Sequence, residues 1–136
     1  MKDVFQKMLT EFNVSHQYIL RLDFDDAIAN TNIDMDLQLT LYRILQEQLS
    51  NILKHAKAST IHVKVFVAGK NLTMQVIDNG VGFTVKNAMN GIGISNMKRR
   101  AELFLGKLTI HSEQQKGCEL FIQIPLSACS KLRESA

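Results

Sequence analysis

The stretch "YRILQEQLSNILKHAKAST", residues 42–60, sets a carboxylate, an amide, an amine and an imidazole in helical order: Glu47, Asn51, Lys54 and His55. With Glu47 at zero on a helical wheel of about 100° per residue, Arg43, Asn51 and Lys54 fall within about 40° of it, and His55 lies beside Asn51. Leu45, Leu49, Ile52 and Ala56 cluster on the far side, the face a sheet would cover. By itself such a stripe is an ordinary solvated helix face with Glu–Lys pairing. Ile44 argues for more, because it puts an apolar residue inside the stripe, between Asn51 and His55.

A second group lies in "VIDNGVGF". Asp78 ends an apolar strand and is followed by Gly80 and Gly82. A carboxylate there can accept a hydrogen bond from an exocyclic amine, and glycines let a flat ring approach the backbone with no Cβ in the way. The bland alternative is an Asp-Asn-Gly hairpin turn. A hairpin turn leads straight into a strand, however, and here a polar, glycine-rich segment intervenes and ends in "NGIGISNM". Gly91 and Gly93 flank a helix start, where backbone amides bind anions, and Lys98 and Arg99 add positive charge. Gly-x-Gly is a weak signal on its own, and neither a P-loop nor a dinucleotide fingerprint is present.

Taken together the groups make a coherent site. Asp78 reads a base, Gly91 and Gly93 cradle phosphates, and Asn51 offers an oxygen to Mg²⁺, which prefers oxygen ligands and keeps several waters. Glu47, one turn away, can polarise or position a water or hydroxyl. Lys54 can pair with phosphate as a point charge, and Ile44 lines the nucleotide side of the helix.

These residues need elements to hold them. Val4, Phe5, Met8, Leu9 and Phe12 predict a helix over about 3–13. "YILRLDFD" alternates as a strand, and "IDMD" offers Asp34 and Asp36 to start a helix running to about Lys57. "TIHVKVFV" and "LTMQVID" predict two strands around the turn "AGKN". A shorter helix follows over about Ser95–Leu105, ended by Gly106. "KLTIHS" and "CELFIQI" form a second hairpin, with Pro125 where the ladder stops. Consecutive hairpins with separate helices give an α+β fold: a mostly antiparallel, mixed sheet of about five strands covered on one face by about three helices. One domain over residues 1–127 is expected, with a frayed tail over 128–136. Between Phe83 and Asn90 apolar anchors are few, so disorder is expected there without nucleotide.

Composition narrows the class. The 136 residues suit one domain with a real core. The net charge of +3 is a mild bias with scattered bases, few aromatics and no tryptophan, which argues against a nucleic-acid binder. No apolar run approaches the roughly 20 residues of a membrane span. Cys118 and Cys129 match no metal spacing and fit a reducing cytosol.

The arrangement resembles the ATP-binding domain shared by sensor histidine kinases, DNA gyrase, Hsp90 and mismatch-repair ATPases, the Bergerat or GHKL fold. "QEQLSNILKHA" looks like its N box, with Glu47, Asn51, Lys54 and His55 in matching places. "DNGVGF" looks like the G1 box, which implies Asp78 bonding the adenine amine. "GIGISNMKRRAEL", with Gly91, Gly93 and Ile94, looks like the G2 box that closes the ATP lid, and "LGKLTIHSEQQKGCELFIQIPL" resembles the closing hairpin. The wording "YRILQEQLSN" and the short lid resemble the nitrate-sensor-like subfamily of bacterial histidine kinases. Two positions depart from the pattern. Cys118 stands where the family usually has a threonine near the adenine, and Leu105-Gly106 replaces the usual Gly-Gly.

The resemblance implies the catalytic domain of a two-component sensor histidine kinase, cytoplasmic, with ATP and Mg²⁺ as ligands. Its γ-phosphate would pass to a histidine on a dimerisation domain, and from there to a response regulator. No helix here carries an acidic-flanked acceptor histidine: His16 sits at a helix–strand junction, and His62 and His111 lie in strands. The chain is therefore expected to be an excised domain or fragment, monomeric in isolation. Two alternatives share the fold. One is a free-standing anti-sigma-factor-type serine kinase acting by partner switching. The other is a nucleotide-binding module without catalysis, supported by Cys118 alone.

Overall fold

The computed structural model describes residues 1–29, 33–82 and 93–129. The expected disorder over Phe83–Asn90 and the placement of Gly91 fall outside them.

Helix α1 (Lys2–Phe12) turns Phe5, Met8 and Leu9 into the core, the i, i+3, i+4 set its sequence predicts. Asn13 then pins the chain: its Oδ1 accepts from Tyr18 N at 3.0 Å and its Nδ2 donates to Tyr18 O at 2.9 Å. Strand β1 (Ile19–Phe24) follows, then a short helix α2 (Asp26–Ala29) with no periodic signature in the sequence. Helix α3 (Met35–Asn51) is capped by Asp34, whose side chain accepts from Asp36 N at 3.1 Å.

The helix expected to reach Lys57 changes character before it ends. Ile52–Ala56 is a π-helical turn, and Lys57 closes it in the left-handed region at φ 51°. A π turn widens the spiral, so a 100° wheel loses phase over Lys54 and His55.

Strands β2 (Thr60–Ala68) and β3 (Asn71–Asp78) form the first hairpin. Helix α4 (Ile94–Glu102) and the hairpin β4 (Lys107–Ser112) and β5 (Cys118–Pro125) complete the order. The sheet runs β1-β2-β3-β5-β4, with β1 parallel to β2 and the other pairs antiparallel. The parallel pair comes from the crossover through α2 and α3. Alternate residues of the central strands, among them Val63, Val65, Met74, Val76, Leu120 and Ile122, are buried on one face. Helices α1, α3 and α4 pack onto the sheet and one another, so helices and sheet form a two-layer α+β domain. Among the described residues no helix is long and apolar enough to cross a membrane.

Two boundaries differ from expectation. The packed domain runs past residue 127: Ala128 and Cys129 are buried, and Cys129 O accepts from Asp34 N at 2.6 Å, so this start of the tail is tied to the head of α3. Helix α4 ends at Glu102 in a Schellman motif, with Gly106 N on Ala101 O at 2.9 Å and Leu105 N on Glu102 O at 3.0 Å. The left-handed residue is Leu105, at φ 59°, and not Gly106. Gly106 is needed for close approach, since a Cβ there would sit 2.2 Å from Ile124 Cδ1. Leu105 is exposed and carries the left-handed strain without packing gain. Leu105→Gly is expected to stabilise the domain by about 1 kcal/mol, read as a higher urea midpoint at constant slope.

Candidate functional site

Asp78 is the last residue of β3 and closes the ladders on both sides of that strand, opposite Ile61 of β2 and Cys118 of β5. It is 4% exposed. Its Oδ1 accepts from Gly80 N at 2.8 Å. Its Oδ2 is buried with no hydrogen-bond partner among the described residues. Burial pushes its pKa up, and the Gly80 N–H offsets part of that by favouring the charged form. A buried, unpartnered carboxylate oxygen costs free energy and calls for a donor.

The residues after Asp78 build a rigid shelf. Asn79 Oδ1 accepts from Ser59 N and Thr60 N, both at 2.9 Å, and its Nδ2 donates to Ser59 Oγ at 2.8 Å. Val81 N donates to Ala56 O at 2.7 Å, and Val81 O accepts from Gln115 N in the β4–β5 loop. The loop is thus sewn to the π turn on one side and to the closing hairpin on the other.

The sequence reading gave Gly80 and Gly82 to ring approach, and the structure gives them another task. A Cβ at Gly80 would lie 2.3 Å from Ala56 O, and one at Gly82 would lie 2.0 Å from Glu113 O. Gly82 also has φ +68°, where an L side chain is strained. Both Cβ-free faces therefore turn to protein backbone. Gly117 works likewise, since a Cβ there would meet Asp78 O at 2.2 Å.

The polar stripe of α3 splits. Asn51 is only 9% exposed and Ile44 is fully buried, whereas Arg43, Glu47, Lys54 and His55 are exposed. The buried arc extends past the sheet-facing side because α4 packs against α3. Glu47 stands at the start of α4: a Cβ on Gly93, the N-cap residue, would touch its Oε1 at 2.2 Å. Ile94 is fully buried and anchors that helix start in the core.

Between these elements lies a tight hollow of about 20 Å³, lined by Gln48, Asn51, Ile52, His55, Ala56, Asp78, Gly82 and Cys118. It admits the edge of a ring and not a whole one. Asn51, His55, Asp78, Gly82 and Cys118 were all expected from sequence to meet here. Glu47, Gly93 and Ile94 form a second group at the head of α4. Gly80 and Lys54 do not line the hollow. Gln48 was missed, although it is 2% exposed and central to the hollow. Its Nε2 faces Cys118 Sγ at 3.8 Å, and its Oε1 accepts from Asn51 Nδ2 at 3.5 Å. The one available signal was its position, about 100° from Glu47 on the wheel and next to the buried face. Burial, with the Asp78 carboxylate nearby, pushes the Cys118 thiol up to about 11, so it stays protonated.

Known proteins share this fold. The fold is shared with the histidine kinase domain of the blue-light activated histidine kinase from Erythrobacter litoralis EL346, at TM-score 0.74 and 19% identity, over 90% of this chain and 59% of that one. It is also shared with the Acinetobacter baumannii histidine kinase AdeS, at TM-score 0.70 and 15% identity, over 92% of this chain and 64% of that one. Sensor histidine kinase LiaS of Bacillus subtilis (strain 168) is 31% identical over 127 residues, covering 93% of this chain and 34% of that protein. The chain thus spans about a third of that relative's length. Residues 36–128, from the first turn of α3 to just past the closing hairpin, match the family described as histidine kinase-, DNA gyrase B-, and HSP90-like ATPase. This chain belongs to that ATPase family.

Proposed function

We propose that this domain binds ATP·Mg²⁺ and donates the γ-phosphate to a histidine on a helical dimerisation domain, as the catalytic domain of a cytoplasmic two-component sensor kinase. The observation that carries the reading is Asp78 Oδ2, buried beside Asn51 and without a partner among the described residues. An exocyclic amine is the donor such an oxygen lacks, and a neutral base edge brings no second charge into the hollow.

Each residue then has a task. Asp78 accepts from the base amine. Asn51, at the inner end of α3, would hold Mg²⁺ through its amide oxygen, and the ion would supply charge neutralisation at the phosphates. Gly93 and the head of α4 face the phosphate chain, where helix N–H groups favour anions. Lys54 and His55 stand exposed at the rim, and Lys54 adds a positive charge. Glu47, at the head of α4, holds the carboxylate that orients the incoming acceptor. Phosphoryl transfer asks for positioning and charge neutralisation rather than covalent chemistry from the protein, and this residue set supplies both.

LiaS, AdeS and the Erythrobacter protein are all histidine kinases by name, and LiaS is named a sensor histidine kinase. That supports the kinase reading over the free-standing sigma-factor antagonist. The nitrate-sensor-like placement rests on the wording of the N box and belongs to the same proposal.

The test has two parts. ATP with Mg²⁺ at about 100 times Kd is expected to stabilise the folded state by about 2.7 kcal/mol, seen as a raised unfolding midpoint. Label from γ-labelled ATP is then expected to reach a histidine on an acceptor domain supplied in trans. A raised midpoint without transfer to any acceptor would favour the binding module. No rise at millimolar ATP would defeat the nucleotide reading.

A further inference from the structure

Gln48 carries an amide into the hollow that the tasks above do not use. Its orientation follows from its neighbours. An Asn51 amide that turns its oxygen toward a cation has only its NH₂ left to donate, and that NH₂ needs an acceptor. Gln48 Oε1 is that acceptor, at 3.5 Å. The choice leaves Gln48 Nε2 on the side of Cys118 and Asp78, where its contact is the thiol sulfur at 3.8 Å. Sulfur is a weak acceptor, so this donor is poorly satisfied for a side chain only 2% exposed. The hollow therefore presents two polar groups of opposite character: an acceptor without a partner among the described residues, Asp78 Oδ2, and a donor held by a weak one, Gln48 Nε2.

We propose that Gln48 is a specificity-determining residue whose Nε2 donates to the ring nitrogen adjacent to the amine that Asp78 accepts from, so that the pair reads the donor–acceptor edge of adenine. The inference rests on the nucleotide reading above and assigns the atoms that are read. Adenine offers an amine beside a ring acceptor. Guanine offers a carbonyl beside a ring N–H, which would set acceptor against Asp78 and donor against Gln48. A hollow of about 20 Å³ takes a ring by its edge, and the edge is where these atoms lie. Cys118 then acts as a resting partner for Gln48 rather than as a contact to the base.

The test compares ATP·Mg²⁺ with 1-deaza-ATP·Mg²⁺, in which that ring nitrogen is C–H and the amine is kept. Calorimetric titration of the wild-type chain is expected to show ATP preferred by about tenfold, the size of one neutral hydrogen bond. Gln48→Met keeps the volume and removes both polar atoms, and it is expected to bring the ratio to about one. Gln48→Leu serves if the methionine variant does not fold. Equal binding of the two nucleotides by the wild type would overturn the assignment and leave ATP binding intact. A preference that persists in the variant would overturn it too, by giving the contact to another group. Failure of the wild type to bind ATP at all would instead remove the nucleotide reading beneath it.

Discussion

Asp78→Asn is expected to abolish the ATP-dependent rise in the unfolding midpoint while leaving the ligand-free domain at least as stable as the parent. The two effects have opposite causes. In the parent, Oδ2 is a buried, charged acceptor with no partner among the described residues, a cost in the absence of ligand. Asparagine keeps an oxygen for Gly80 N, whose bond to Oδ1 is 2.8 Å, and removes the charge. Toward ATP it presents an NH₂ where the base amine needs an acceptor. A hydrogen bond to a charged group is worth roughly 1.5–3 kcal/mol, and a clash of donors adds to its loss, so affinity should fall about a hundredfold or more. Retention of the ATP-induced shift in this variant would sink the base-reading role.

The same carboxyl predicts a pH dependence. Burial raises its folded-state pKa above the ordinary 3.8. The folded chain then holds this proton more tightly than the unfolded chain does. The stability Asp78 contributes is fully present below 3.8 and is lost as pH rises through the folded value. Asparagine has no such slope. Its advantage over the parent should therefore grow from about pH 4 upward and then level off, as followed by urea midpoints at several pH values.

Asn51→Ala is expected to reduce ATP affinity in the presence of Mg²⁺ to the value measured with a chelator. Phosphate transfer to an added acceptor domain should fall by about two to three orders of magnitude, because a bound metal supplies several kcal/mol of charge stabilisation. The change also removes the donor to Gln48 Oε1. An intact unfolding midpoint separates loss of the metal from loss of the fold, and alanine is well suited to the last position of α3. If Mg²⁺ improved ATP binding as much in the variant as in the parent, the metal assignment would fail.

Asp78 and Asn51 were legible because each is marked by local pattern: a carboxylate that ends a period-two strand, and a polar residue that repeats one turn after another. The strands were legible for the same reason, since their buried residues alternate along the chain. Gln48 was not. At the border of the buried arc, its fate depends on α4, which is more than forty residues away in sequence and closes over that side of α3. The π turn carries no residue signature, and it ends at Lys57 rather than at a glycine. Gly80 and Gly82 were read as leaving room for a ring, and the structure turns their Cβ-free faces to protein backbone. A glycine announces that something comes close, and only the tertiary fold says that here it is Ala56 and Glu113. Cys129 looked like tail because its backbone is tied to Asp34, at the head of α3 and far away in sequence.

The pairing of Asp78 with Cys118 across the β3–β5 ladder bears on how such a domain can diverge. Both flanks of the span between Gly82 and Gly93 are fixed independently, by Val81 on Ala56 and Gln115, and by Ile94 in the core. Lengthening a flexible connection costs little, about 0.6 kcal/mol for each doubling. Insertions or deletions over residues 83–92 can thus be accommodated without shifting the register of Asp78 and Cys118. On the proposed reading, the two residues that choose the base, Asp78 at the end of β3 and Gln48 in α3, both lie outside that span.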